Sequence, residues 1–558
     1  MLEHCAPWPE QFAKEYLRLG YWKIESLVDL LEARARAIPE RVFVTDVRGE
    51  LSYGDIDNLA ARVALHLLKL GLKRRDIVLL QFPNVREFII AFFALQKIGV
   101  IPVMCLPHHR ARELSYFAEL TGASAYLFPQ RFRNFNYLPM AREIQATNPN
   151  LRHLLALGEG SEPGVCYLDP WIAADPQLSN AAHELAQQRP DPFEVAFMLL
   201  SGGTTGVPKL IPRTHVDYLC NATECAKVLN WGANIAFMVA LPAAHNFPLG
   251  APGMLAALVA GGRVAISAST EAETIFEAID QQKPTFLGVT PALLITLLNS
   301  PQRQKYRLDS LRYIYAGGQK MLPELVQRTR NAWPFARPGQ AFGMAEGLTN
   351  LSRPDDPWTD ILETQGRPVS TADEIRIIGD GEEDLPAGAV GELITRGPYT
   401  IRGYYRSGEY NRQAFTADGF YRTGDMVRLH PSGNLVVEGR KKDLINRGGE
   451  KISAEEIENL ILSHEKIHMA AVVAMPDAVM GERSCAFVTL RSGESLSLAE
   501  LTSFLQGKQI AKFKLPERLE IMDSLPLSGM GKVSKKDLRE IISAKLKTEV
   551  VVENLPAI

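Results

Sequence analysis

Apolar and polar positions along this chain come in blocks: short apolar runs stand before longer stretches with a helical period. Asp76–Gln81 reads as a buried strand and the stretch from Asn84 to Lys97 as the helix after it, with Asn84 and Glu87 as a cap-like pair. Gly99 ends that helix and Val100–Cys105 is the next strand, so the segment predicts a βαβ unit. Thr285–Val289 repeats the pattern, with Thr290 capping the following helix and Pro291 in its first turn. Val195–Leu200 is a further buried strand. The recurrence predicts an α/β fold of parallel sheets covered by helices. After Gly366 the texture changes. Glu374–Ile378, the turn-rich Gly379–Gly388 and Gly391–Thr395 predict short antiparallel strands in a small barrel or sheet. A charged run at Arg440–Asp443 then separates this β-rich segment from a compact α/β tail.

The length of 558 residues is too great for one core and predicts at least two domains. Lys and Arg total 61 against 64 Asp and Glu, and the net charge of −3 gives no electrostatic case for nucleic acid or an anionic membrane. The greasiest stretch, Phe88–Leu106, is broken by Gln96, Lys97 and Pro102 and does not read as a membrane span. Met1–Phe12 lacks the basic start and apolar run of a signal peptide, so the expected location is cytoplasmic. The six cysteines are scattered without a CxxC pair, as structural thiols of a reducing compartment would be.

The most informative stretch follows the strand Val195–Leu200. It reads Ser201-Gly202-Gly203-Thr204-Thr205-Gly206-Val207-Pro208-Lys209. Its glycines allow close backbone approach, its hydroxyls add donors and Lys209 adds positive charge, a combination suited to phosphate oxygens. It is not a GxxxxGK[ST] loop, because Lys209 follows proline and precedes leucine. Taken alone, the stretch also reads as a Gly/Thr-rich surface turn.

Further motifs follow in order: Gln340–Glu346 (Gln-Ala-Phe-Gly-Met-Ala-Glu), Tyr421–Asp425 (Tyr-Arg-Thr-Gly-Asp), Gly439–Asp443 with Gly448–Lys451, and Pro526–Lys532. Together with the loop they resemble the core motifs of the adenylate-forming superfamily, which includes acyl-CoA synthetases, peptide-synthetase adenylation domains and luciferases. The likeness extends over nearly the whole length. It implies an N-terminal adenylation core over residues 1–441, with about 366–441 as a β-barrel-like subdomain. A small mobile C-terminal α+β domain, 442–558, would follow, hinged near Lys442.

The resemblance also implies ATP and Mg²⁺. Ser201, Gly202, Gly203, Thr204, Thr205, Gly206 and Lys209 would hold phosphates, with Thr204 close to the chemistry, and Glu346 would be the Mg²⁺ ligand. Gly317, Gly318, Gln319, Ala341, Phe342, Gly343, Met344 and Ala345 would line the adenine and the acyl group. Asp425 would take the ribose hydroxyls, with Arg440 beside it. Lys532 would bridge carboxylate and α-phosphate as the adenylate forms, a role suited to a point charge on a long stem. Domain rotation would then withdraw Lys532 and present the face containing Lys451 for thiol attack.

The acid is addressed by His245-Asn246-Phe247-Pro248-Leu249. Asn246 carries no charge for an α-ammonium, which argues against an amino acid, while its amide suits a carboxylate or adjacent hydroxyl. Phe247 offers a flat wall for a ring. The string resembles the stand-alone aryl-acid adenylating enzymes of siderophore assembly, which activate 2,3-dihydroxybenzoate or salicylate. His245, Asn246, Phe247, Ala251, Gly318 and Thr349 are the expected acid-pocket residues, with His245 read as structural. Phe247 and Ala251 bring no hydroxyl to meet a ring 3-hydroxyl, which tilts the reading to salicylate, although Thr349 offers one from the opposite wall. Another ortho-substituted aryl or heteroaryl acid, such as a hydroxypicolinate or hydroxyanthranilate, stays open. The sequence has no Gly-Gly-x-Ser phosphopantetheine site, and the residues after Lys536 are too few for a carrier domain. The expected acceptor is therefore a separate phosphopantetheinylated aryl carrier protein, or coenzyme A.

Overall fold

The computed structural model describes residues 1–173, 181–201, 208–448, 450–477, 479–508, 510–527 and 533–553. The chain forms two compact units. The first comprises Met1–Met321, Leu325–Ile375 and Thr395–Tyr421, and the second Leu322–Glu324, Arg376–Ile394 and Arg422–Ile558.

The first unit is built on two large sheets. A seven-stranded sheet runs in the order Leu210–Thr214, Val195–Leu200, Ile101–Met104, Ile77–Leu80, Ala125–Pro129, His153–Leu157, Val165–Tyr167. Its strands are parallel except for the edge strand Leu210–Thr214, which returns antiparallel to Val195–Leu200. The predicted βαβ unit is present: Ile77–Leu80 and Ile101–Met104 pair in parallel, joined by the helix Arg86–Lys97. That helix is buried from Glu87 to Lys97, which explains its greasiness without a membrane. No helix among the described residues is long and apolar enough to cross one.

The start of this helix corrects one expectation. Asn84 and Glu87 do not cap it. The Asn84 amide instead donates to the Leu241 carbonyl (3.0 Å) and accepts from the Ala243 amide (2.8 Å), while Glu87 pairs with Arg48 (2.7 Å). Tertiary partners outcompete the local cap because they satisfy more of the buried amide.

The nine-stranded sheet runs Arg367–Pro368, Thr349–Leu351, Arg337–Gly343, Tyr313–Gly317, Phe286–Val289, Ala236–Val239, Arg263–Ile266, Val42–Asp46, Gly49–Ser52. It is parallel from Arg337–Gly343 to Val42–Asp46 and antiparallel at both ends. Thr290 accepts from the Leu293 amide and Pro291 opens the helix, as the sequence predicts.

The second unit holds a four-stranded sheet, in the order Glu374–Ile378, Gly391–Arg396, Tyr421–Leu429, Leu435–Arg440, where the change of texture predicts short strands. A further sheet pairs Gly481–Leu490 with Ile467–Asp477, Leu444–Arg447 and Arg518–Ile521. Ile445, Ile457, Val472, Val488 and Leu501 form its core.

All six cysteines are free. Burial raises every one of their thiols: Cys5 and Cys485 to about 12, Cys166 above its ordinary value, and Cys105, Cys220 and Cys225 higher still.

Candidate active site

The antiparallel return of Leu210–Thr214 brings the two ends of the candidate phosphate loop together. Ser201 N–H donates to the Lys209 carbonyl (2.9 Å), and Lys209 N–H donates to Ser201 Oγ (2.9 Å). Gly202, Gly203, Thr204, Thr205 and Gly206 lie outside the described residues, as does Lys532. The Lys209 ammonium sits 3.8 Å from the Tyr410 ring centroid. Burial lowers its pKa, and the neighbouring Glu346 carboxylate pulls it back up.

Glu346 is buried at 7% exposure in a tight turn, where Gly347 N–H donates to the Met344 carbonyl and Met344 N–H to the Leu348 carbonyl. Its Oε1 accepts from Tyr404 Oη (2.8 Å), which in turn lies 2.9 Å from Tyr421 Oη. Burial, and then the Glu346 charge, push the Tyr404 phenol far up, so it remains a neutral donor. The turn is braced from behind by Arg213, fully buried, whose guanidinium reaches the carbonyls of Ala345 (2.8 Å) and Tyr399 (3.1 Å) and pairs with Asp217 (2.9 Å). Among the described residues no cluster of three or more His, Cys, Asp or Glu is placed to hold a metal. A hydrated Mg²⁺ on one hard carboxylate and phosphate oxygens fits the donor chemistry at Glu346.

The acid-pocket candidates gather at the carboxyl ends of the parallel strands, where open α/β sheets bind ligands. Strand register pairs Gly317 with Ala341 and Gly343 with Thr349. It therefore brings the segments Gly317–Gln319 and Ala341–Ala345 to one sheet end with Thr349. A Cβ on Gly317 would meet the Phe247 ring at an ordinary contact distance of 3.4 Å but would crowd the Ala341 carbonyl at 3.2 Å. Gly318 follows in the left-handed region at φ +87° and turns the chain. Asn246, Phe247 and Ala251 are buried. His245 caps the short helix Asn246–Leu249 by accepting the Phe247 amide on Nδ1 (3.2 Å). Tyr218 Oη donates to Asn246 Oδ1 (2.9 Å). Thr349 Oγ1 lies 3.4 Å from Asn221 Oδ1 and from the Gly347 carbonyl, and Asn221 Nδ2 is buried without a hydrogen-bond partner.

In the second unit, Asp425 and Arg440 are direct cross-strand neighbours. The Arg440 Nε lies 2.5 Å from Asp425 Oδ1, and the carboxylate is buried. Lys442 follows in a short helical turn, Lys441–Asp443. Desolvation of its head, with Arg440 adding repulsion, lowers it to about 8; the side chain as a whole is exposed, so solvent screening tempers that shift. Lys451 pairs through its backbone with Asn446.

A family model described as AMP-binding enzyme matches residues 31–405, and one described as AMP-binding enzyme C-terminal domain matches residues 456–532. The chain belongs to the AMP-binding enzyme family. Its relatives include the 2,3-dihydroxybenzoate-AMP ligase of Bacillus subtilis, 42% identical over 98% of this chain and 99% of that protein. They also include the salicyl-AMP ligase / salicyl-S-ArCP synthetase of Mycobacterium tuberculosis, 41% identical over 95% and 93%. The Mycobacterium smegmatis MbtA apo structure superposes with a TM-score of 0.73 at 39% identity, covering 96% of this chain and 98% of that one. This AMP-binding enzyme is thus an adenylate-forming ligase that uses ATP.

Three residues that brace the AMP-binding enzyme's candidate site escape the motifs. Arg213, Tyr218 and Tyr404 support Glu346 and Asn246 from positions outside them. Arg213 alone leaves a trace in the sequence: a charge inside the apolar strand Leu210–Thr214 requires a buried partner.

Proposed function

We propose that this enzyme adenylates an aryl acid with an ortho hydroxyl, salicylate ahead of 2,3-dihydroxybenzoate, and passes the aryl group to the phosphopantetheine thiol of a separate aryl carrier protein. The observation that carries the acid is the buried Asn246 amide beside the apolar wall of Phe247 and Ala251. The amide suits the carboxylate and ortho oxygen, and the wall suits an unsubstituted ring edge. Relatives named for 2,3-dihydroxybenzoate and for salicylate support the aryl-acid class.

In the first half-reaction a carboxylate oxygen attacks the α-phosphorus of ATP and pyrophosphate leaves. Mg²⁺, when bound, neutralises phosphate charge; Glu346 would hold it. Ser201–Lys209 would hold the β- and γ-phosphates, Asp425 with Arg440 the ribose, and Lys532 the charge that builds between carboxylate and α-phosphate. In the second half-reaction the thiol sulfur attacks the acyl carbon, AMP leaves and the thiol proton passes to solvent. We assign the hinge between the two steps to Lys442, the mobile domain to residues 442–558, and the thiol-facing surface to the region of Lys451.

Acid-dependent pyrophosphate exchange across a panel of aryl acids tests this reading. Exchange with salicylate, and faster turnover with a holo-carrier protein than with coenzyme A, is the expected result. Exchange with none of the acids would overturn it, and preference for coenzyme A would reassign the acceptor.

A further inference from the structure

The Asn246 amide has two unlike ends, an acceptor oxygen and a donor nitrogen, and only one can face an acid. Facing a carboxylate or a phenolic oxygen, Nδ2 attracts and Oδ1 repels. The side chain that decides this comes from the helix His215–Val228. Tyr218 Oη donates to Asn246 Oδ1 at 2.9 Å and lies 3.4 Å from the Asn246 backbone carbonyl. With Oδ1 held in this way, the Nδ2 hydrogens are the face offered to an incoming oxygen.

Tyr218 is itself fixed. It is fully buried, with the Arg213 guanidinium 4.7 Å from its ring centroid on one side and the Phe197 ring edge-on at 4.7 Å. A Cβ on Gly250 would fall 2.4 Å from the ring, so the backbone after the short helix Asn246–Leu249 closes on it without room to spare. Burial raises the phenol far above its ordinary range, and the hydroxyl keeps its proton throughout the working pH. One turn further along the same helix face, Asn221 meets Thr349.

We propose that Tyr218 is a positioning residue for acid recognition: its hydroxyl orients the Asn246 amide so that Nδ2 meets the carboxylate and ortho oxygen of the bound aryl acid. The inference rests on the aryl-acid reading above. It makes Tyr218 a determinant of selectivity for ortho-hydroxylated acids, acting only through Asn246.

Tyr218→Phe keeps the ring, its packing and its cation contact, and removes only the hydroxyl. In pyrophosphate exchange, KM for salicylate rises about tenfold while KM for ATP is unchanged, and the salicylate-over-benzoate ratio of kcat/KM falls by a similar factor. Asn246→Ala alone lowers the same ratio, and adding it to Tyr218→Phe lowers the ratio little further, since both remove one interaction. An unchanged ratio in Tyr218→Phe, equal losses for salicylate and ATP, or effects of the two substitutions that multiply would each overturn the inference while the aryl-acid reading stands. Wild-type enzyme that exchanges with no aryl acid overturns both. If Tyr218→Phe fails to fold, Asn246→Ala decides: a salicylate-over-benzoate ratio equal to wild type overturns the inference.

Discussion

The guanidinium of Arg213 donates at 2.8 Å to the carbonyl of Ala345, the residue immediately before Glu346. One buried cation thus fixes the backbone that aims the carboxylate, while Asp217 balances its charge. Arg213→Met leaves Asp217 buried and unpaired, and is expected to cost about 3–5 kcal/mol in chemical denaturation. Arg213→Met with Asp217→Leu is expected to recover much of that stability yet remain poor in pyrophosphate exchange, because the Ala345 carbonyl still lacks its donor. Full recovery of exchange in the double variant would show that Arg213 serves folding alone.

Glu346→Gln keeps the size and an acceptor oxygen but removes the charge. The expected outcome is a steeply higher Mg²⁺ concentration for half-maximal exchange, with KM for the acid little changed. Titration of activity against Mg²⁺ at saturating ATP checks this.

Lys532→Ala is expected to slow adenylate formation by roughly 10²–10³ or more, if, as proposed above, its charge acts as negative charge builds on the α-phosphate. Transfer from preformed acyl-adenylate to a thiol is expected to stay largely intact. Single-turnover assays of each half-reaction separate the two, and equal losses in both would count against withdrawal of this lysine between steps.

Salicylate is expected to outcompete 2,3-dihydroxybenzoate, and Ala251→Ser to narrow the gap by roughly fivefold, about 1 kcal/mol of a restored hydrogen bond. Thr349→Val tests the opposite wall. If Thr349 already serves a 3-hydroxyl, that variant penalises only the dihydroxy acid. The measurement is kcat/KM for both acids in all three proteins, and a clear wild-type preference for 2,3-dihydroxybenzoate would reverse the assignment.

Asp373 gives the fold a pH dependence. Burial raises its carboxyl to about 8; Oδ2 accepts from the Tyr399 hydroxyl, and Oδ1 is buried without a partner. In the unfolded chain the group ionises near ~3.9. Between that pH and about 8 the unfolded chain has lost a proton that the native state keeps. The stability it contributes is therefore complete below about 4 and lost as pH rises through 8. Asp373→Asn is expected to gain on wild type in denaturation midpoint from pH 5 to pH 8. A constant difference across that range would refute the assignment.

The sequence shows those parts of the site whose chemistry is tied to local backbone form. The strand Val195–Leu200, the Thr290–Pro291 helix start and the cross-strand partners Asp425 and Arg440 all lie within short, self-contained motifs. What it hides is held by distance along the chain. Tyr404 reaches Glu346 across 58 positions, and Arg213 reaches Ala345 across 132. Asn84 was legible as a cap by its local spacing, and yet its amide serves a loop near Leu241 and Ala243. Local pattern points to the candidate ligand-binding groups far better than to the side chains that brace them.

The six free thiols bear on the product rather than on the fold. An acyl-adenylate is an electrophile, and in the reaction proposed above the species that intercepts it is a thiolate. On the proposed reading the intermediate is a mixed anhydride, and burial keeps all six of this protein's own thiols toward their neutral, poorly nucleophilic form.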